Sequence, residues 1–358
     1  MNDSLQLYEN DLSLVTKPIP KLSNPEDVLI RVAYSGICGT DLHIIAGEFP
    51  ASTKALTLGH EFCGIIENVG TSVTTFKVGD RVVVNPNNNC NVCSFCVKGK
   101  PHFCKTGGLR STVGIWRNGG WAQFCRVPSC LVHKIAENLS FSKAALIEPY
   151  SCICRGFDQL GEIDPEANIL ICGSGIIGLL WASLLHFKGF RNISVSEISE
   201  KRRNMASSLN LGLKVCLPDY LVSQQRESLK SDNSDWGFDV IIDCTGVPAA
   251  IEQAFGWLQR GATFIVFGCC PKDSKVKLNP FDIFNKELKI VGSLINPFTF
   301  PTAIKVVQDM ADSYLDLQRL GIKLFPLQEY STALKSLKDG SVSKAMFAID
   351  QSLDNEKL

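Results

Sequence analysis

Six side chains between residues 38 and 61 carry groups that metal-assisted chemistry needs. Gly36-Ile37-Cys38-Gly39-Thr40-Asp41-Leu42-His43 is answered downstream by Gly59-His60-Glu61, so a thiol, a hydroxyl, two carboxylates and two imidazoles fall within 26 residues. A catalytic zinc takes three protein ligands from Cys, His and Asp/Glu and keeps a fourth position open for water or substrate. Cys38 and His60 supply one soft and one borderline ligand, and Glu61 or another carboxylate can supply the third. Thr40 is a hydroxyl two residues from the Cys, placed to accept and pass on an alcohol proton. His43 can carry that proton towards solvent, since an unperturbed imidazole titrates near ~6.5. Asp41 can orient His60 by accepting its second ring N–H. Alone, Cys38 would read as a buried thiol and His60 as a core histidine; together they read as a metal site.

A second cluster follows. Cys90, Cys93, Cys96 and Cys104 are spaced C-x2-C-x2-C-x7-C. Four thiolates close a tetrahedral site with no open position, the pattern of structural zinc. Nothing else in Cys90–Cys104 could build a core, so metal should hold the lobe together. An iron–sulfur cluster also uses C-x2-C-x2-C, but its next Cys comes sooner and is trailed by Pro. With four thiolates present, His102 reads as a surface residue.

The third centre is Ile169-Leu170-Ile171-Cys172-Gly173-Ser174-Gly175-Ile176-Ile177-Gly178. An apolar strand runs into G-x-G-x-x-G, and an apolar helix is expected from Leu179 to Phe187. Gly173 permits the tight turn, Gly175 lets the backbone approach a pyrophosphate, and Gly178 lets helix and strand pack closely. The helix N-terminus meets the phosphate charge, and Ile176 and Ile177, in the turn that leads into it, are expected at the cofactor. Glu197 closes the next strand, 19 residues after Gly178 (197 − 178). A carboxylate there bonds the ribose hydroxyls of NAD and repels a 2′-phosphate, so NAD is expected over NADP. Lys201-Arg202-Arg203 nearby could instead pair with a phosphate, Arg202 being the candidate, although the triplet reads as a solvated helix turn. Buried strands at 236–246, 262–268 and 287–293 alternate with helices, which indicates a parallel sheet covered on both faces. Ligands bind at strand C-termini in such sheets, so Thr245, Gly246, Gly268 and Ser293 should line the nicotinamide side.

The elements that position these groups fit two domains, since 358 residues exceed one ordinary core. Short strands with glycine turns at 5–8, 27–34, 59–70 and 76–84 suggest a small β-rich barrel. Composition is globular, 45% hydrophobic and 20% charged, and the formal net charge is zero. No electrostatic footprint argues for nucleic acid or an anionic membrane. No secretory signal and no membrane span are expected. Fifteen cysteines, an odd count, argue against a disulfide framework and for a cytoplasmic protein. His133 has no evident role, and Ile115 and Trp116 read equally as cleft lining or as packing. The last residues, 351–358, should fray.

Gly-Ile-Cys-Gly-Thr-Asp-Leu-His followed by Gly-His-Glu resembles the zinc-dependent medium-chain dehydrogenases, in particular the polyol branch of sorbitol, arabinitol and threonine dehydrogenase types. The resemblance extends over nearly the whole chain, through Gly119-Gly120-Trp121-Ala122-Gln123 and Asn296-Pro297-Phe298-Thr299-Phe300-Pro301. It implies an α/β protein: a GroES-like catalytic domain over 1–155 and 290–358 around a Rossmann domain over 156–289. It also implies that Glu148, in a Glu-Pro beside the metal, competes with Glu61 as third ligand. The expected activity is reversible, NAD-linked oxidation of a secondary alcohol by a homodimer or homotetramer with two zincs per chain. A threonine or simple-alcohol dehydrogenase is the alternative. A non-catalytic dinucleotide-binding relative is disfavoured because Cys38, His60, Glu61 and Glu148 are all present.

Overall fold

The computed structural model describes residues 1–52, 54–230 and 236–354. They form two units, Met1–Ser151 with Ile295–Leu317 and Ile322–Leu358, and Cys152–Leu294 with Gln318–Gly321.

The first unit opens with β1 (Asn2–Tyr8), β2 (Asp11–Lys17), β3 (Asp27–Gly36), β4 (Leu56–Thr57), β5 (Phe62–Val69), β6 (Arg81–Val84), β7 (Phe124–Pro128) and β8 (Val132–Lys134). The strand expected from residue 76 begins only at Arg81, because Lys77–Asp80 closes a turn: the Lys77 N–H donates to Asp80 Oδ2 at 2.9 Å and the Asp80 N–H to the Lys77 carbonyl at 3.1 Å. Helix α1 (Gly39–Ile45) follows β3, and α2 (Phe141–Ala144) precedes α3 (Ile147–Leu160).

The second unit contains β9 (Ile169–Cys172), β10 (Ile193–Ser196), β11 (Lys214–Cys216), β12 (Phe238–Asp243), β13 (Leu258–Val266) and β14 (Lys289–Gly292). All pair in parallel in the order β11-β10-β9-β12-β13-β14. In the unit's own numbering this is 3-2-1-4-5-6, whose reversal between the first and fourth strands opens a crevice at their carboxyl ends. Helices α4 (Ile176–Phe187), α5 (Glu200–Ser208), α6 (Pro218–Lys230), α7 (Pro248–Phe255) and α8 (Pro280–Asn285) accompany the strands. Helix α4 begins three residues before the expected Leu179. Gly175 is extended and caps it, and its carbonyl accepts the Leu179 N–H at 3.1 Å.

The chain returns to the first unit through α9 (Phe300–Met310), β15 (Ile322–Phe325), α10 (Tyr330–Lys338) and β16 (Lys344–Ala348). The main sheet there runs β15-β16-β3-β5-β6-β8, with β7 also on β3. Strand β3 is almost wholly buried, as expected of a strand with both faces covered. Val28, Ile30 and Val32 pack with Phe62, Ile66, Val82 and Val84. A second core joins Ile37, Ile115, Trp121 and Phe347, so Ile115 serves packing. The tail does not fray as far as Asp354. Leu353 is buried, and Asp354 Oδ1 accepts the Phe141 N–H at 2.7 Å. Residues 355–358 lie outside the described residues.

Candidate active site

Sheet register assembles the first cluster. Strand β3 has β5 on one side and β16 on the other, with Ser35 opposite Phe62 and Gly36 opposite Met346. Cys38, Glu61 and Lys344 therefore meet at three strand ends. Cys38 caps α1, and its N–H donates to Asp41 Oδ2 at 2.8 Å. Asp41 Oδ1 stands 3.4 Å from His60 Nδ1. One fully buried carboxylate thus holds the Cys38 N–H with one oxygen and faces His60 Nδ1 with the other, which leaves His60 Nε2 for another partner. One donor atom each from Cys38, His60 and Glu61 lies within 4.8 Å of the others. Donors around zinc stand about 3.3–3.8 Å apart at bond lengths of about 2.0–2.3 Å. A soft, a borderline and a hard donor at this closeness fit the metal.

The donors also act on one another electrostatically. Burial works against the charge on His60, but Asp41 and Cys38 overcome it and hold its pKa well above the ordinary value. Glu148 sits in the first turn of α3, also buried. Its carboxyl is pushed up to about 7, first by burial; His60 opposes this and Glu61 adds to it. Glu148 feels both neighbours but is not among the three donors brought within 4.8 Å. Thr40 is half-buried in the first turn of α1. His43 lies one turn further on, exposed, its Nδ1 2.7 Å from Glu48 Oε2. The sequence reading missed Lys344, which is 2% exposed and ion-paired with Glu61. Burial opposes its charge, but Glu61 and then Cys38 raise its pKa. The available signal was a lysine opening an otherwise apolar closing strand.

The cysteine lobe gathers its four sulfurs. Sγ–Sγ distances are 3.6 Å for Cys93–Cys96, 3.9 Å for Cys93–Cys104 and 4.0 Å for Cys90–Cys96. A tetrahedron of bonds of about 2.3 Å requires about 3.8 Å. Backbone amides turn back on the sulfurs: Cys93 N–H on Cys90 Sγ at 3.3 Å and Cys90 N–H on Cys104 Sγ at 3.4 Å. Such donors, from Cys96 first and then Lys105, bring the Cys93 thiol down to about 7. Val92 and Val97 are exposed, so the lobe has little apolar core of its own.

In the second unit a cavity of about 380 Å³ is lined by Gly173, Gly175, Glu197, Arg202, Thr245 and neighbours. Gly173 has φ +93°, and a Cβ on Gly178 would lie 2.0 Å from the Gly173 carbonyl, so both glycines are dictated by the turn. A Cβ on Gly175 would meet no protein atom within 4 Å, which leaves that backbone open to a ligand. The residues fit a dinucleotide. Glu197 is buried, and its Oε2 accepts the Ser174 N–H and its Oε1 the Ser199 N–H, both at 2.9 Å. Arg203 donates to the carbonyls of Glu197 and Ile198, while Arg202 faces the cavity. Ile176 and Ile177 stand in the first turn of α4. Thr245 donates its hydroxyl to Asp243 at 2.6 Å. Gly246 and Gly268 abut one another, and neither they nor Ser293 line this cavity.

Residues 24–137 match the alcohol dehydrogenase GroES-like domain, and residues 177–309 match the zinc-binding dehydrogenase family. The chain is 32% identical to D-altritol 5-dehydrogenase of Agrobacterium fabrum, over 97% of this chain and 99% of that one. It is 31% identical to D-arabinitol dehydrogenase 1 of Uromyces fabae, over 91% of each. A zinc-binding dehydrogenase of Sinorhizobium meliloti, solved bound to NADP, superposes with a TM-score of 0.84 at 30% identity, over 97% and 99% of the two chains. The chain belongs to the zinc-binding dehydrogenase family and is an oxidoreductase, with a GroES-like domain and a Rossmann-like parallel sheet.

Proposed function

We propose that the protein oxidises a secondary hydroxyl of a sugar alcohol to a ketone, reversibly, with NAD as hydride acceptor. The observation that carries this reading is the convergence of Cys38, His60 and Glu61 within 4.8 Å, braced by Asp41 and Lys344. The substrate class rests on the altritol and arabinitol enzymes to which the chain is similar. Cys38, His60 and Glu61 would hold one zinc, with Glu148 beside them, and the four lobe cysteines a second. When bound, the first zinc supplies a Lewis acid that lowers the pKa of a substrate hydroxyl.

The chain's own groups do the rest. Thr40 takes the hydroxyl proton, and His43, paired with Glu48 at the surface, passes it to solvent. Asp41 keeps the His60 ring in one orientation. The Gly173–Gly178 turn and the start of α4 receive the pyrophosphate. Glu197 accepts from the ribose hydroxyls and disfavours a 2′-phosphate, which supports NAD over NADP. Residues 1–155 and 290–358 would then serve the metal chemistry, and 156–289 the dinucleotide.

None of the fifteen cysteines is in a disulfide, in keeping with a cytoplasmic protein, and no described helix is long and apolar enough to cross a membrane. A homodimer or homotetramer is supported by the edge strand β14, whose Ile290 is 44% exposed.

The test is turnover of pentitols, hexitols, their phosphates and L-threonine with NAD and with NADP. A free polyol with NAD should give the highest kcat/KM. A preference for L-threonine or a simple alcohol overturns the substrate class. On the best substrate, Thr40→Val should lose about 10²–10⁴-fold and His43→Ala much less. Near-parental turnover by Thr40→Val would remove Thr40 from the proton path.

A further inference from the structure

Lys344 is the least expected buried group in the first unit. Lysines are almost never fully buried unless paired, and this one opens β16 with 2% exposure. Its Nζ pairs with Glu61 Oε2 and donates to the carbonyl of Ile37 at 3.2 Å, the residue next to Cys38. Room for the pair comes from Gly36. A Cβ there would lie 2.0 Å from Glu61 Oε2 and 2.9 Å from Lys344 Cε. A methionine would fill the same volume without a buried charge, and apolar replacements of buried ion pairs are often the more stable choice. Packing alone therefore does not account for a lysine at this place.

Asp41 stands behind the other two donors, accepting the Cys38 N–H and facing His60 Nδ1 at 3.4 Å. We propose that Lys344 is the positioning residue for Glu61. It holds Oε2, which leaves Oε1 as the oxygen that would be free to face the metal. It also offsets the negative charge that Cys38 and Glu61 bring to a buried site. The inference rests on the reading of Cys38, His60 and Glu61 as metal donors.

The experiment measures zinc affinity at this site by chelator competition, on protein whose lobe zinc is retained, together with the visible spectrum of the cobalt-substituted site. Four variants suffice: Lys344→Met, Lys344→Arg, Glu61→Gln, and Lys344→Met combined with Glu61→Gln. Lys344→Met should weaken zinc about 10–100-fold, the range for removing a partner of a metal ligand, and shift the cobalt bands. Lys344→Arg, which keeps the charge, should recover most of the loss. In the Glu61→Gln background, Lys344→Met should change affinity less than about two-fold, because its partner is already gone. Equal losses in both backgrounds, or no loss in either, overturn the inference. If Lys344→Met does not fold, two other comparisons still decide it: Lys344→Arg must keep the parental cobalt bands and most of the parental zinc affinity, and the double variant must bind zinc within about two-fold of Glu61→Gln. A parental chain that takes up only the lobe zinc refutes the metal reading itself, whereas two bound zincs without a Lys344 effect refute this inference alone.

Discussion

Gly36→Ala is the smallest change that should disable the metal centre. Gly36 is not among the residues with positive φ, so alanine meets no backbone strain there. The effect is steric. The added Cβ would stand 2.0 Å from Glu61 Oε2, where ordinary contact begins at 3.4 Å, so one of them must retreat by about 1.4 Å. The backbone is poorly placed to yield: Gly36 N–H donates to the Glu61 carbonyl at 2.7 Å, Gly36 pairs with Met346, and its carbonyl accepts Trp121 Nε1–H at 3.1 Å. The Glu61 carboxylate must move instead, and Lys344 Cε, 2.9 Å from the same Cβ, must yield with it. A misplacement of about 1 Å costs about 10²-fold in rate, or roughly 2.7 kcal/mol of transition-state stabilisation. Overpacking adds about 1–3 kcal/mol of destabilisation. The assay is kcat/KM on the best polyol, with zinc content and thermal unfolding on the same preparation. Activity within about three-fold of the parent, with both zincs retained, would refute the assignment of Glu61 to the metal centre.

Metal analysis should return two zincs per chain, and Cys93→Ser should lose one of them together with folding or solubility; an iron–sulfur absorption band would sink the assignment of the lobe. Glu197→Ala should narrow the preference for NAD, and a parent with higher kcat/KM for NADP would show that Glu197 does not select the cofactor. His133, packed 4.9 Å from the Phe300 ring, has a pKa lowered by burial, so the folded state binds fewer protons than the unfolded one. Stability should therefore fall as pH drops below about 6.5, and His133→Phe should remove part of that loss in urea titrations at pH 5 and 7. On refolding, the lobe should take up zinc before the second site does, followed with a zinc-sensitive dye; simultaneous uptake would contradict this.

Local chemistry was legible from the chain because its spacing is its geometry. The lobe cysteines lie within fifteen residues, 90 to 104, and their sulfurs converge as the C-x2-C-x2-C-x7-C pattern requires. The glycine turn at 173–178 was equally readable, since Gly173 and Gly178 are fixed by contacts within the motif itself. Strand and helix ends were less so, because capping decides them: Gly175 starts α4 early, and the Lys77–Asp80 turn delays β6.

The proposed catalytic cluster shows where local pattern stops. Cys38, His60 and Glu61 are near neighbours in sequence, but the residue that braces Glu61 comes from position 344. Only the register of β16 on β3 joins them, and no local pattern encodes that pairing. Loop closure over some three hundred residues must precede the Lys344–Glu61 contact, whereas the cysteine lobe closes over fifteen. The first unit thus depends on both ends of the chain, with the second unit's sheet inserted between them. This order gives the buried lysine a second consequence. Until β16 docks, Glu61 lacks its counter-charge and nothing holds its carboxylate toward Cys38 and His60, so the proposed metal site should mature only on a nearly finished fold.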